Sequence, residues 1–370
     1  MTTLTTGSAR PVITAWSAVS PFGIGHSAFA EGMRERRTTV AELGPEHGTT
    51  PEGTGCVVPS FDIRQVLGKK GTRSMDRVTG LTVTAVGALL DDGDRNRAVG
   101  TGPRAAFALG TTTGSAQSMM DFTRDSLTSE QPFFVDPARF PNTVMNCAAG
   151  QSAIWYKLQG PNATIAGGRT AGLHALNYSR RLLSTGRAGT VLCGAAEEFS
   201  QARAWLEHHA ADGESAGPLG EGCAVLLIEP DAPDDPEQTV LAEVLAVELR
   251  VVLDSDVAPS LAACLRSALR RAGVTADQVG VVARSAAPGR EGRGEEAALR
   301  EVLGSDLTDV TPSGLIGDTG AAAAAFQAAA LLSYAEEHPA GGTDRLGVIT
   351  SVDRSGTVGC ALLVLKSHVA

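Results

Sequence analysis

The chain has 370 residues, 43% of them hydrophobic and 19% charged, with a formal net charge of −10. That length and composition suit a large buried core, built either as two modest domains or as one large duplicated fold. The acidic balance, with no basic stripe, excludes nucleic acid and an anionic membrane surface as partners.

In chain order, residues 1–16 lack a basic segment followed by an apolar core, so no secretory signal is expected. Residues 43–55, rich in Gly, Thr, Glu and Pro, read as a surface loop. After Gly110-Thr-Thr-Thr-Gly114, the residues Ala116, Met119, Met120 and Thr123 fall at i, i+3, i+4 and i+7, which places them on one face of a helix. A helix opening on Gly and rich in small residues is predicted over 168–183, with a strand-like apolar run at 189–193. Residues 210–222 read as a second surface loop. Gly222-Cys223-Ala224-Val225-Leu226-Leu227-Ile228 has the length and apolar character of a strand buried on both faces. Residues 231–238 carry two prolines and four acidic residues and mark a join. Residues 290–296 are charged and Gly-rich, hence exposed.

The same order of elements then returns. A small-residue helix is predicted over 317–332, an apolar run over 346–349, and Gly359-Cys360-Ala361-Leu362-Leu363-Val364-Leu365 repeats the strand at 222–228. Two similar strands alone would be a coincidence; agreement across several elements argues for a duplication. The expected halves are 1–230 and 231–370. Strands alternating with helices imply an α/β architecture of layered sheets around central helices. The apolar run at 321–334 is too short for a bilayer and reads as a buried helix. The six cysteines form no CxxC pair and point to free thiols in a reducing cytoplasm. Seven scattered histidines offer no metal-ligand spacing, so no metal is expected.

Several segments together resemble the β-ketoacyl synthase family: Pro11-Val-Ile-Thr-Ala-Trp-Ser-Ala-Val-Ser-Pro-Phe-Gly-Ile-Gly25, Phe140-Pro-Asn-Thr-Val-Met-Asn146 with Ala148-Ala-Gly150, Gly160-Pro-Asn162, Leu192-Cys-Gly-Ala-Ala-Glu-Glu198 and Gly220-Glu-Gly222. The resemblance covers nearly the whole chain and implies a thiolase-like fold, a duplicated five-layer αβαβα architecture. It also implies a catalytic set that this sequence lacks. Ketosynthases need a thiolate at a helix N-terminus, two histidines, a lysine and a glutamate. By resemblance, the cysteine position falls on Arg169 and the first histidine on Arg284. The lysine falls on Ser313, the second histidine on Asp318 and the glutamate on Gln327. The final loop, Val352-Asp-Arg-Ser-Gly-Thr-Val358, departs from the family's phenylalanine and asparagine. An arginine stays protonated and cannot attack a thioester.

This pattern is similar to the ketosynthase-β subunits, or chain-length factors, of type II polyketide synthases. Those usually carry glutamine at the cysteine position, so Arg169 is a departure. The resemblance implies a heterodimer with a ketosynthase-α subunit, an acyl carrier protein bearing the growing chain, and no cofactor. It sets Ala116, Met119 and Thr123 at tunnel-gate positions; ordinary interface packing is the alternative. The strand expected at 160–167 needs a mate across a two-fold interface. The chain's length, short for that group, points to its polyene-forming members.

Two arrangements fit Arg169: an ion pair with Asp318, both at the N-termini of the duplicated helices, or a plug that pairs with Glu197, Glu198 or a carbonyl. Arg284 either binds a phosphate or carboxylate or lies in solvent. Two other functions are carried alongside. One is an acyltransferase with displaced chemistry, drawing on Thr170, Ser285 or Asp318. The other is a stand-alone binding or regulatory module on a retired enzyme fold.

Overall fold

The computed structural model describes residues 10–91, 101–211, 217–232, 234–253, 256–339 and 344–367. The first half runs β1 (Pro11–Ser20), α1 (His26–Arg34), α2 (Arg77–Leu90), β2 (Ala105–Thr111), α3 (Ala116–Thr128), α4 (Cys147–Tyr156), β3 (Asn162–Ala166), α5 (Ala171–Ser184), β4 (Thr190–Glu197), α6 (Gln201–Ala210) and β5 (Gly222–Pro230). The second runs β6 (Ala242–Val251), α7 (Val257–Ala272), β7 (Val279–Ala283), α8 (Gly289–Leu303), β8 (Thr308–Asp309), α9 (Ala323–Glu337), β9 (Arg345–Asp353) and β10 (Thr357–Leu365).

The strands bond in the order β8-β7-β9-β10-β6-β1-β5-β4-β2-β3. Outward from the middle, β1-β5-β4-β2-β3 on one side repeats as β6-β10-β9-β7-β8 on the other. The directions repeat too. β2 is parallel to both β3 and β4, and β7 to both β8 and β9, while the remaining pairs within each half are antiparallel. The two halves share one hydrogen-bonded path, but β1 and β6 are joined only at Val12↔Glu243 and Ile13↔Ala242.

Three hydrophobic clusters mark the helical layers. Between the halves, α5 and α9 supply Leu173, Leu176, Phe326, Leu331 and Leu332. Outside the first half, α2 and α4 pack through Leu81, Val86, Leu89 and Ala149. Outside the second, α7 and α8 pack through Leu261, Leu265 and Leu299. These are the five layers of a thiolase-like α/β fold. Small residues are required in the middle: a Cβ on Gly172 of α5 would lie 2.9 Å from Ala324 Cβ of α9, closer than such atoms approach.

Four expectations change. The helix expected over 317–332 starts at Ala323, after a short helix Ser313–Ile316 and a 3-10 turn Gly320–Ala322. Gly317 takes φ +74°, which ends the first of these. The exposed run at 290–296 lies inside α8, and its Glu295 is fully buried. The loop at 210–222 lies partly outside the described residues. Its end forms a buried strand, Leu219–Gly220, parallel to Thr54–Cys56. That partner strand in turn closes what reads as a loop at 43–55, because short Gly-containing strands carry too few residues to show alternation.

Candidate functional site

The site sits at the head of α5. Gly168, at φ +53°, leads a 3-10 turn, Gly168–Thr170, that feeds the helix. A side chain at 168 would collide with Asp353, since its Cβ would lie 2.1 Å from Asp353 Oδ2. That carboxylate accepts the Arg169 backbone N–H at 2.8 Å, and Ser351 Oγ donates to the Arg169 carbonyl at 2.8 Å. The backbone of residue 169 is therefore clamped by the end of β9.

The Arg169 side chain is 10% exposed and donates through Nη2 to Asp318 Oδ2, itself 15% exposed. Of the two arrangements the sequence allows, the ion pair with Asp318 is the one formed. Asp318 Oδ1 accepts the Gly320 N–H at 2.9 Å, so the same carboxylate caps the turn before α9. Burial pushes the Asp318 carboxyl up, but the guanidinium groups of Arg169 and Arg203 outweigh it and hold it below the usual range. Burial opposes the charge on Arg169 as well, and Asp318 more than restores it. Among the described residues, Arg169 Nε is buried with no hydrogen-bond partner.

A shell of buried polar groups supports this pair. Arg203 of α6 donates to the carbonyls of Glu198, Gly220 and Asp318 at 2.6–2.9 Å. Glu197 accepts from Thr112 Oγ1 and from the Ala321 N–H. Glu198 accepts from Ser115 Oγ and Gln117 N, anchoring the first turn of α3. Burial, with Asp76 adding, pushes the Glu198 carboxyl up to about 8. Sequence reasoning left Arg203 unmarked; a lone arginine on a polar helix gives no sign that its guanidinium satisfies three carbonyls across the fold.

The other substituted positions are engaged separately. Arg284 follows β7 and pairs with Asp309 and Glu296 at 2.8 Å each, so it meets carboxylates of its own chain rather than lying free in solvent. Ser313 opens the short helix before Gly317 and is half-buried. Gln327 is buried in α9, its amide donating to the carbonyls of Ala283 and Thr350 at 3.2 and 2.9 Å. Thr170 donates to the Gly167 carbonyl. Ser285 donates to the buried Glu295, and that carboxylate also accepts from Thr350 Oγ1 and from the N–H groups of Ser285 and Ala286. Among the described residues neither hydroxyl has a histidine as a hydrogen-bond partner.

Along α3 only Ala116 is buried; Met119, Met120 and Thr123 open to the surface. The stripe diverges because Glu198 ties down the first turn while the later turns leave the body. A cavity of about 250 Å³ lies beside the same helix, lined by Ser118 and Asp121 with Arg73, Asp76, Arg139 and Asn142. Nearby are further exposed apolar side chains: Leu127, Phe133, Phe134, Phe140, Val144, Met145 and Ile154. The Phe122 and Phe140 rings lie 5.9 Å apart, and Gly114 packs on the Met145 backbone, so α3, the following segment and α4 adjoin. Beside them β3 ends the sheet with one edge unpaired among the described residues.

All six cysteines are free, five are buried, and burial raises every thiol above its usual value, Cys193 and Cys223 to about 12. Among the described residues no group of histidine, cysteine and carboxylate side chains could hold a metal, and no helix is long and apolar enough to cross a membrane.

Residues 9–233 match the family description of the β-ketoacyl synthase N-terminal domain. The solved structure described as "The ishigamide ketosynthase/chain length factor" is similar at a TM-score of 0.91 and 46% identity, covering 96% of this chain and 99% of that one. A β-ketoacyl synthase from Burkholderia phymatum shares the fold at a TM-score of 0.80 and 19% identity, covering 97% of this chain and all of that one. Over 300 residues the chain is 25% identical to 3-oxoacyl-[acyl-carrier-protein] synthase 2 of Vibrio cholerae, spanning 74% of this chain and 72% of that protein. With the duplicated layers, the segments quoted above and these matches in agreement, the chain belongs to the β-ketoacyl synthase family.

Proposed function

We propose that the chain is a chain-length-factor subunit of a type II polyketide synthase, with a polyene as the product class put first. It pairs with an active ketosynthase-α subunit, completes the acyl tunnel and helps set product length, and it performs no condensation itself. The observation that carries this reading is the head of α5. There a guanidinium, held by Asp318 and clamped through its backbone by Asp353 and Ser351, fills the place that the resemblance gives to a nucleophile. A permanently charged arginine supplies no electron pair to a thioester. No thiol of the chain is poised to replace it, since a nucleophilic cysteine needs a lowered pKa and all six are raised. The exposed apolar side chains beside the free edge of β3 support a partner of similar fold on that face. The 46% identity to the ishigamide ketosynthase/chain length factor supports the same role.

The test is co-purification of the tagged chain with candidate ketosynthases, followed by condensation with malonyl-loaded carrier protein. The expected result is a one-to-one heterodimer that elongates only when both subunits are present. Elongation or self-acylation by this chain alone would overturn the reading.

A further inference from the structure

The two halves of the sheet touch through only two residue pairs, at the starts of β1 and β6. Beside this short junction lies a cavity of about 570 Å³, a size that suits a small ligand rather than a flat protein surface. Its walls are the start of β1, β6, the second half of α5 and the C-terminal end of α7, away from the α5 N-terminus that bears Arg169. Four arginines line it: Arg10, Arg180, Arg181 and Arg271.

Two of these are neutralised within the chain. Arg10 pairs with Glu243 at 2.6 Å and Arg271 with Glu248 at 2.8 Å. Arg180 and Arg181 have no ion pair among the described residues, and Arg180 Nε is buried without a hydrogen-bond partner. Arg181 lies in the last turn of α5, where the helix dipole favours a cation. Arg180 has less to hold it: burial, with the like charge of Arg271 adding, disfavours its charged form and Glu248 only partly offsets them. A half-buried guanidinium facing other guanidiniums destabilises the fold unless an anion answers it.

We propose that this cavity binds a small phosphate-bearing anion, held between Arg180 and Arg181 with Arg271 and Asn177 at its walls. A phosphate group carries close to two negative charges and matches two unpaired guanidiniums, each able to donate two parallel hydrogen bonds. A single carboxylate would leave one of them unanswered.

The experiment follows the thermal midpoint of the full-length chain as inorganic pyrophosphate is added, with ionic strength held constant by sodium chloride. Inorganic phosphate and adenosine 5′-monophosphate are run as separate arms. A ligand of the folded state raises the midpoint in a saturable way. The expected result is saturable stabilisation by at least one phosphate probe, with the apparent Kd weakened about tenfold or more in Arg181→Gln, the size of one lost charge-assisted hydrogen bond. Arg181 is exposed, so that variant keeps the fold. Arg180→Met is expected to abolish the response while leaving the probe-free midpoint unchanged or higher. Tighter binding of adenosine 5′-monophosphate than of inorganic phosphate would assign a phosphate ester as the occupant, and the reverse order the free anion. The proposal is overturned if no probe shifts the midpoint beyond the sodium chloride control, or if the shift is the same in both variants.

Discussion

At the scale of single residues, the site is held by buried charge, and that makes its pH behaviour and its variants predictable. Asp318 is the counter-charge to Arg169 and the cap of the turn before α9. Asp318→Asn leaves a buried guanidinium unanswered and should cost about 3–5 kcal/mol, read from urea unfolding. Pairing it with Arg169→Gln should recover most of that loss, because the stranded charge goes with it. A double variant as unstable as Asp318→Asn would mean that the loss does not come from the stranded Arg169 charge. Because its carboxyl is held low, Asp318 contributes stability that is full above the unfolded value of about 3.9 and lost as pH falls through its lower folded value. Glu198 has the opposite sign. Its folded carboxyl stays protonated to about 8, while the unfolded one ionises near 4.3, so the unfolded chain releases its proton first. Stability should therefore fall as pH rises between those values and level off above 8. Glu198→Gln should flatten that slope; an unchanged profile of thermal midpoint against pH would assign it to Asp76 or Glu197, whose carboxyls are also raised by burial. Gln327 is explained by its acceptors. Its amide donates to two carbonyls, which a carboxylate can only repel, so Gln327→Glu should destabilise by about 2–4 kcal/mol near neutral pH and less in acid.

At the scale of elements, the tunnel proposal rests on α3. Ala116 is the buried member of its stripe, in the turn fixed by Glu198. Ala116→Trp in the heterodimer is expected to shorten the product by filling the space a growing chain would take, and to cost about 1–3 kcal/mol by overpacking. Unchanged product length from an intact heterodimer would refute a gating role. The legibility of elements in the sequence follows burial. The strands at 222–228 and 359–365 were readable because both faces are covered, which writes a continuous apolar run. The helix 168–183 was readable from its small residues, which the sandwich between two sheets demands. Charge misled at 290–296, because Glu295 looks exposed by type yet is buried, satisfied by the N–H groups of a loop nearby in space and by Thr350. At 317–332 the run of alanines hid the break at Gly317, since small apolar residues fit a helix and the turn before it alike. The Arg169–Asp318 pair could be anticipated from helix ends, but its choice over Glu197 or Glu198 was not legible. Those two carboxylates are already taken by Thr112, Ala321, Ser115 and Gln117, contacts set by tertiary folding.

At the scale of the molecule, the repeat gives each half a strand at the sheet's end, and the two ends differ. β8 is two residues long and exposed, too short to template another chain. β3 is five residues long and packs on α4, whose Ile154 is 76% exposed, while Leu127 near the end of α3 is 79% exposed. An exposed side chain can be changed at little cost to the fold, usually within about 0.5 kcal/mol. That separates folding from assembly. Ile154→Asp and Phe134→Asp should leave the thermal midpoint of the chain nearly unchanged, yet weaken its complex with the ketosynthase by about 2 kcal/mol or more if either lies at the centre of the interface. The measurement is sedimentation of the mixed subunits across a concentration series. Full heterodimer formation by both variants would move the interface off this face, and the free edge of β3 would then need another cover.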